Sequence, residues 1–575
     1  MSEPVVTLAK ANLIDVALNS RSFGKLVDAA AEVYGTHPAF SDRRGNEWRS
    51  VNFLEVRERA FALAHWLLEN QLNHRCMILS ESRIEWPLTF LGIASAAATA
   101  IPVDPKSTAQ ELAEFIASTA PDVILVSPLL QGVLEEAIVI AQWQGRQLVM
   151  ETQSIQPSAL GGLPAAPASF APLTHGAEQT ATIAFTSATS GKPKGVETRA
   201  DSLLHQTASL RSWFGTKPGD SFLSILPLNH LFELSCGCLA VLACGGHVNY
   251  LNSILPHEIK EALKHRGITH FVVVPILMEM IRKGIERNFI TKLGDRGKTF
   301  LEILQTTSSL APSNQLRRFL NRFILNELGP ELRMVLVGGS TLDANTVGFF
   351  LNMGIKVCQG YGLTETSPVV STSPPNKIRR GSVGLVMPDC SVKIAAEGDE
   401  TIGEILVKGP CVMKGYLDDP ALTATVIDEE QWFHTGDLGY VDEQGYLFIT
   451  GRKKNLIVLD GGKKVYPEEV EKTLTASVLF QDVCVTGVCL EHPSLPGRKT
   501  EQVCAVIVPQ AELIEQHDLA TLQTLCEEEV TRLCRTLSVY KKPARVVVQT
   551  EELPKTRTGK IKAPLVQQHL TSLLS

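Results

Sequence analysis

The sequence carries no excess of positive charge. Its 575 residues include 54 lysines and arginines against 61 aspartates and glutamates, which gives a net charge of −7. A strongly basic balance is the electrostatic footprint of nucleic-acid binding, so we expect no nucleic-acid partner. The short basic runs at 452–454 and 463–464 are local features.

The cysteines lack the spacing of a metal site. Twelve cysteines are scattered along the chain, none in a CxxC pair, and Cys236 and Cys238 are too close in sequence for a zinc knuckle. We therefore interpret them as reduced thiols, which is typical of a cytoplasmic protein.

Long apolar runs are also missing. The most apolar stretches, 234–246 and 271–281, are well short of the ~20 residues that span a bilayer. Residues 1–20 lack the basic start, apolar centre and cleavage site of a signal peptide. We expect a cytoplasmic location, and peripheral contact with a membrane stays open.

Composition and hydrophobic pattern predict an α/β protein. With 44% hydrophobic and 20% charged residues, the chain is long enough for roughly three or four sub-lobes. Apolar runs at 121–127, 271–275 and 334–339 lie between helical stretches, as parallel strands covered on both faces do. From Val383 onward, short glycine-bounded strands predict a β-rich lobe.

The predicted domain boundary lies at the charged cluster 451–454. Residues 1–453 would form a large N-terminal domain of parallel α/β sub-lobes plus the β-rich lobe. Residues 454–575 would form a small, mobile α+β C-terminal domain of about 120 residues.

One segment, residues 185–196, has the composition of a phosphate-binding loop. It is not a Walker A loop, because no Gly-x-x-x-x-Gly-Lys-Ser/Thr pattern occurs in the chain. Its hydroxyls and backbone N–H groups can donate to an oxyanion, and its lysines can neutralise it. A solvated Ser/Gly/Pro linker has a similar composition. The candidate phosphate-binding residues are Thr186, Ser187, Thr189, Ser190, Gly191 and Lys194.

This segment resembles the signature loop of the adenylate-forming enzymes, which include acyl-CoA synthetases, luciferase and the adenylation domains of peptide synthetases. The chain departs from the usual pattern at Ala188, where the family has glycine. The resemblance implies that the loop holds the phosphates of ATP, with Thr186 and Lys194 close to the reaction.

Further motifs follow in the order of the family. Residues 359–366 resemble the element in which Tyr361 and Gly362 lie at the adenine, Thr364 donates to the α-phosphate and Glu365 binds Mg²⁺. Residues 432–439 resemble the ribose-binding element, in which Asp437 accepts the ribose hydroxyls with help from Arg452. The backbone of Gly338, Gly339 and Ser340 would lie against the adenine.

Two more elements bear on the acyl substrate and the second half-reaction. Residues 226–233 resemble the element in which His230 lies between the ATP and carboxylate sites, in a form most similar to long-chain fatty acyl-CoA synthetases. By the same resemblance Lys454 is the hinge between domains, and Lys560 in residues 553–562 reaches into the site during adenylation.

The function that the resemblance implies has two steps. ATP and Mg²⁺ would activate a medium-to-long-chain fatty acid as acyl-AMP, and coenzyme A would then accept the acyl group. An acyl-acyl carrier protein synthetase or fatty acyl-AMP ligase shares the first step. A non-catalytic nucleotide-binding homologue is the third alternative, favoured by Ala188 and opposed by Glu365, Asp437, Arg452 and Lys560. Chain length, acceptor, pathway and oligomeric state stay open.

Overall fold

The structure is a computed structural model that describes residues 8–45, 47–153, 156, 158–186, 193–294, 299, 325, 328–340, 342–396, 398, 400–459, 463–492, 495–555 and 561–574. All statements below concern these residues.

Strands occur along the whole chain. In chain order they are β1 Pro38–Arg44, β2 Glu47–Asn52, β3 Arg75–Leu79, β4 Thr99–Val103, β5 Val123–Val126, β6 Arg146–Val149, β7 Thr180–Thr186, β8 Lys194–Arg199, β9 Ser221–Ser224, β10 His247–Tyr250, β11 His270–Val273, β12 Met334–Val337, β13 Lys356–Tyr361, β14 Ser371–Thr372, β15 Leu385–Val386, β16 Ser391–Ala395, β17 Gly403–Lys408, β18 Gly415–Tyr416, β19 Phe433–Val441, β20 Leu447–Arg452, β21 Ile457–Val458, β22 Lys464–Val465, β23 Phe480–His492, β24 Leu495–Pro509 and β25 Arg545–Val548.

Most of the α-helices connect successive strands along the chain. They are α1 Leu8–Leu18, α2 Phe23–Tyr34, α3 Phe53–Glu69, α4 Glu85–Ser95, α5 Ala109–Thr119, α6 Gln131–Ala141, α7 Ala200–Phe214, α8 Ala240–Cys244, α9 Pro256–His265, α10 Pro275–Leu293, α11 Ala344–Asn352, α12 Pro420–Val426, α13 Pro467–Leu474, α14 Ala511–Gln516, α15 Leu519–Leu533 and α16 Ala563–Leu574. A π-helix, Glu233–Leu239, runs directly into α8.

Two mostly parallel sheets form the centre of the N-terminal part. One has the strand order β18-β8-β7-β4-β3-β5-β6, and the other has the order β15-β14-β13-β12-β11-β9-β10-β1-β2. The apolar runs at 121–127, 271–275 and 334–339 contain β5, β11 and β12, which pair in parallel with their neighbours. The buried helix α4 connects β3 to β4 and packs against α2 and α3, and its residues Trp86 and Phe90 are fully buried.

Local signals in the sequence begin the helices on these sheets. Asn52 and Glu55 form a capping box at the start of α3: the Glu55 N–H donates to Asn52 Oδ1 at 2.9 Å, and the Asn52 N–H donates to the Glu55 carboxylate at 2.8 Å. Thr108 and Glu111 do the same for α5. Such caps satisfy backbone donors that a helix start leaves without intrahelical partners.

A buried ion-pair cluster ties β1 and β2 to α4. The Glu85 carboxylate is fully buried and accepts hydrogen bonds from Arg49 at 2.5 Å and from Arg83 at 2.7 Å. Burial alone would raise the pKa of Glu85, but these two guanidinium groups outweigh it and hold the pKa far below its usual range. Loss of either arginine would leave a buried charge with fewer partners, which is strongly destabilising.

The β-rich lobe and the C-terminal part follow as separate sheets. The first is the antiparallel sheet β16-β17-β19-β20, and the second is β23-β24-β25, which α13 and α15 cover around a core of their own. The predicted class, an α/β fold with a large N-terminal and a smaller C-terminal domain, is confirmed. The boundary between 453 and 454 stays a prediction; it falls within the short 3₁₀ helix Lys453–Asn455 after β20.

No helix in the described part of the chain is both long and apolar enough to cross a membrane.

Candidate active site

The two ends of the predicted phosphate loop lie side by side. Strands β7 and β8 pair antiparallel, and Thr186 is the register partner of Lys194 at the end of the pair that the loop joins. Both residues are half-buried. The remaining candidates of this loop lie outside the described residues: Ser187, Thr189, Ser190 and Gly191.

The turn after β12 favours glycine at two positions, Gly338 and Gly339. A Cβ on Gly338 would lie 2.8 Å from the ring of Phe232, and Gly339 has a φ of +94°, a conformation that favours glycine. Gly339 and Ser340 are exposed at the carboxyl end of the strand. This is where open α/β sheets bind ligands, so a flat ring could approach the backbone of these residues closely.

Tyr361, Asp437 and Arg452 form one hydrogen-bonded group. The Tyr361 hydroxyl donates to Asp437 Oδ2 at 2.9 Å, and Arg452 Nε lies 2.8 Å from Asp437 Oδ1. The residue Asp437 is 4% exposed, whereas the Arg452 side chain is 44% exposed. Burial, followed by the nearby Asp437 charge, raises the pKa of Tyr361 well above its usual value.

Strand pairing explains why these residues meet. β19 and β20 are consecutive strands that pair antiparallel, and Asp437 is the register partner of Arg452. Tyr361 is the last residue of β13, and its hydroxyl reaches across from the large sheet to the β-rich lobe. The group therefore sits at a junction between lobes, a common place for ligand sites.

Glu365 is held by the β18 segment. Its side-chain Oε1 accepts a hydrogen bond from the Tyr416 hydroxyl at 2.9 Å, and its backbone carbonyl accepts one from the Met413 N–H at 2.8 Å. Burial and the adjacent Glu365 carboxylate raise the pKa of Tyr416, which therefore stays protonated and keeps donating. The Lys194 ammonium lies over the Tyr416 ring, 5.2 Å from its centroid.

Lys454 lies close to other charged side chains of the candidate site. Partial desolvation lowers the pKa of Lys454, and the charges of Arg452 and Lys194 lower it further, against the opposing effect of Asp437. The charges of Arg452 and Lys194 therefore repel the Lys454 ammonium. An anion with several charges would relieve that repulsion, so the geometry favours a polyphosphate ligand.

His230 lies in the loop after β9. Its side chain is solvent-accessible, yet surrounding protein removes enough water to lower the pKa of His230, against the Asp104 carboxylate, which raises it. The lowered pKa favours the neutral form of the imidazole. Phe232, two residues on, packs against Gly338, which places the His230 loop beside the turn after β12.

The remaining candidates follow β13 or lie outside the described residues. Gly362 is required sterically, because a Cβ there would lie 1.8 Å from the Pro368 carbonyl oxygen. Thr364 begins a short 3₁₀ helix, Thr364–Thr366, and is half-buried. Lys560 is not among the described residues.

The structure thus joins the described candidates in two groups: the first is Tyr361, Asp437 and Arg452, and the second is Thr186, Lys194 and Glu365. It also adds one residue that sequence reasoning missed. Tyr416 links Lys194 to Glu365, and its neighbour Gly415 pairs with Glu197 of β8. A Gly-Tyr pair is a weak signal in a sequence. Only the docking of β18 onto β8 reveals that this tyrosine belongs to the site.

The chain is similar to a known enzyme family and to individual proteins. Residues 27–417 match the family described as AMP-binding enzyme, and residues 469–560 match the AMP-binding enzyme C-terminal domain. The long-chain fatty acid–CoA ligase FadD15 of Mycobacterium bovis is 30% identical over 467 residues, which is 76% of each chain. The long-chain fatty acid–[acyl-carrier-protein] ligase AEE15 of Arabidopsis thaliana is 27% identical over 430 residues, covering 64% of this chain and 57% of that protein.

The fold also matches solved structures. The crystal structure of ATP-bound MatB from Rhodopseudomonas palustris superposes with a TM-score of 0.73 at 22% identity, covering 98% of this chain and all of that one. The chain belongs to the AMP-binding enzyme family, as the motifs predict. Within it, the chain is an AMP-forming acid–CoA ligase by family.

Proposed function

We propose that this protein activates a medium-to-long-chain fatty acid with ATP and transfers the acyl group to the thiol of coenzyme A. The observation that carries the proposal is the pairing of two acidic groups in one site: Asp437, held by Tyr361 and Arg452, and Glu365, held by Tyr416. The Asp437 carboxylate suits a vicinal diol, and the Glu365 carboxylate suits a cation bound to phosphates. Arg452 pairs with Asp437, and Lys194 lies over the Tyr416 ring that contacts Glu365.

In this proposal the nucleoside is held by backbone and by Asp437. The adenine would lie between the Gly338-Gly339-Ser340 backbone and the Tyr361 ring, and the ribose hydroxyls would donate to the Asp437 carboxylate. Arg452 holds that carboxylate in its ionised form, since a guanidinium 2.8 Å away stabilises the negative charge. Asp437 can therefore accept two hydrogen bonds from a diol without first losing a proton.

Glu365 fits a magnesium site by its chemistry. Mg²⁺ prefers oxygen ligands and is bound in nucleotide sites by one or two carboxylates together with substrate phosphates. The half-buried Glu365 offers such an oxygen, and the Tyr416 hydroxyl fixes the direction in which the carboxylate points. A magnesium ion bound there would neutralise the phosphates; the protein's contribution is to orient the carboxylate.

The adenylation step follows from these positions. The fatty acid carboxylate attacks the α-phosphorus in line, acyl-AMP forms and pyrophosphate leaves. Thr186, Thr364 and the loop hydroxyls of Ser187, Thr189 and Ser190 would donate to phosphate oxygens, and Gly191 would let the backbone approach them. Lys194 and Lys560 would neutralise charge that grows in the transition state.

His230 has a separate task in the proposal. Because the lowered pKa favours its neutral form, His230 would donate one N–H to the fatty acid carboxylate without forming a tight ion pair with it. A carboxylate bound in this way stays nucleophilic, since no full positive charge stabilises its ground state.

Transfer to the thiol requires a change of the site. The thiol attacks the acyl carbonyl and AMP leaves, so the lysine used for adenylation must withdraw. We propose that residues 454–575 rotate about Lys454, which removes Lys560 and brings the segment at Lys463 towards the site.

Two considerations favour a fatty acid and coenzyme A. The relative FadD15 of Mycobacterium bovis is described as a long-chain fatty acid–CoA ligase. The segment after His230 is apolar and buried, from Leu231 through the π-helix to α8, as an acyl-binding wall would be. The relative AEE15 is described as an acyl-carrier-protein ligase, so a carrier protein is the second candidate acceptor.

The test is pyrophosphate release from MgATP across acids from acetate to oleate and benzoate, with coenzyme A and holo-carrier protein in separate arms. We expect turnover on medium and long chains with coenzyme A. Turnover only with carrier protein would move the assignment to an acyl-carrier synthetase. No turnover with a folded, ATP-binding protein would favour a non-catalytic nucleotide-binding protein and draw attention to Ala188.

A further inference from the structure

Two cysteines meet at the edge of the β-rich lobe, away from the residues assigned to substrates. Cys390 directly precedes β16 and Cys411 follows β17, and these strands pair antiparallel with Ser391 opposite Lys408. The backbones are unusually close here: a Cβ on Gly409 would lie 3.1 Å from the Cys390 Cα. Both side chains pack on the apolar core of this lobe, close enough for each thiol to affect the ionisation of the other.

A histidine from another lobe completes the cluster. His205 lies on α7, its Nε2–H donates to the Pro388 carbonyl at 3.1 Å, and its imidazole also contacts the Cys390 thiol. That contact raises the pKa of His205 against the effect of burial. A histidine that is easily protonated beside a thiol favours the thiolate, the form that reacts with oxidants.

Cys390 differs from the structural thiols of this chain. Burial raises the pKa of thiols such as Cys76 and Cys236. At Cys390 the hydrogen bond from Cys411, together with the one from His205, outweighs burial and lowers the pKa. Cys390 is also partly exposed, whereas Cys411 is fully buried beside it. Cys390 is therefore an accessible nucleophile, and Cys411 is a neighbouring thiol that could react with its oxidised form.

We propose that Cys390 and Cys411 are an oxidisable pair that closes a disulfide when the protein meets a peroxide, with Cys390 as the attacking and Cys411 as the resolving thiol. In the first step the Cys390 thiolate attacks one peroxide oxygen. The S–O bond forms, the O–O bond breaks, and the departing hydroxide takes the proton from His205 and leaves as water.

In the second step the Cys411 sulfur attacks the sulfenic acid on Cys390. The S–S bond forms, the S–O bond breaks, and the departing hydroxide takes the Cys411 proton as the second water. Two thiols lose two electrons in total, hydrogen peroxide gains them, and a thiol reductant reverses the change.

The pair is placed to affect the site. Two residues after Cys411, the Met413 N–H donates to the Glu365 carbonyl, and Tyr416 further along donates to the Glu365 side chain. A disulfide between Cys390 and Cys411 would tie the segment that contacts Glu365 to the start of β16 and restrict its position. A reversible loss of adenylation would follow; this consequence rests on the proposed function, whereas disulfide formation does not.

The direct test is peptide mapping of the full chain after hydrogen peroxide treatment and alkylation without reductant. We expect a linked pair of peptides containing Cys390 and Cys411, with the loss of two hydrogens, that dithiothreitol separates. Exposed Cys489 serves as the matched control thiol, and a Cys489→Ser variant should form the same linked pair at the same rate.

Two variants assign the roles. Cys411→Ser should stop at a sulfenic acid on Cys390 that dimedone traps, and Cys390→Ser should leave Cys411 unmodified. Oxidation of Cys489 with Cys390 and Cys411 both still alkylated as free thiols would overturn the proposal, as would a wild-type disulfide between other cysteines. Unchanged pyrophosphate release by the fully linked protein would overturn the effect on the site.

Discussion

Replacing Asp437 by asparagine tests the nucleoside site while keeping its shape. Asp437 accepts hydrogen bonds from Tyr361 at 2.9 Å and Arg452 at 2.8 Å, and in the proposal also from the ribose. Asparagine is nearly isosteric but neutral. Hydrogen bonds to a charged group contribute about 1.5–3 kcal/mol each, so loss of the charge should weaken ATP binding on the order of 10- to 100-fold.

The variant should fold, because Arg452, the cation that loses its counter-charge, is not buried. The Arg452 side chain is 44% exposed and can turn to solvent. The assay is pyrophosphate release as a function of ATP concentration, together with direct calorimetric titration of AMP. The KM for ATP should rise, and the affinity for AMP should fall in parallel.

Asp201→Asn is the matched control. Asp201 pairs with Arg21 at 2.8 Å on the surface, where such pairs contribute at most about 1 kcal/mol. It should change neither parameter. An Asp437→Asn protein with unchanged AMP affinity and unchanged KM would refute the assignment of Asp437 to the ribose.

Three further predictions follow. Tyr416→Phe removes the hydroxyl that orients Glu365, and should raise the Mg²⁺ concentration for half-maximal activity about tenfold; an unchanged Mg²⁺ dependence would contradict this role. Lys560→Ala should abolish acyl-AMP formation but spare thioester formation from supplied acyl-AMP, and equal loss of both would contradict the two-step scheme. Burial raises the pKa of Glu233 to about 8, so the folded state keeps a proton that the unfolded chain releases near pH 4.5. The free energy of unfolding therefore falls by about 1.4 kcal/mol per pH unit as the pH rises between these two values. Glu233→Gln should therefore raise the melting temperature at pH 9 but not at pH 4, with exposed Glu114→Gln as the control; equal shifts at both pH values would contradict the buried, protonated state.

The sequence was sufficient for the fold class because periodicity alone carries that information. The apolar runs around β5, β11 and β12 are buried on both faces, and that burial removes polar residues from them. Glycines that directly follow a strand also indicate structure. Gly338 and Gly362 tolerate no Cβ, so the residue type itself reports close backbone packing.

The sequence could not give the contacts between lobes. Tyr361 reaches Asp437 only because the large sheet and the β-rich lobe face each other, and Tyr416 reaches Glu365 only because β18 docks on β8. Neither of these two contacts produces a periodic pattern of residues in the sequence. The proximity of Cys390, Cys411 and His205 has the same origin, since α7 and β16 come from different lobes.

The central claim is that the acid is activated as an acyl adenylate, and isotope transfer tests it most directly. A fatty acid labelled with ¹⁸O in its carboxylate would be turned over with MgATP and coenzyme A, and the nucleotide product analysed by mass spectrometry. The account predicts AMP carrying one ¹⁸O atom, released with unlabelled pyrophosphate. Formation of ADP with ¹⁸O in orthophosphate would show an acyl phosphate instead, and would contradict the account.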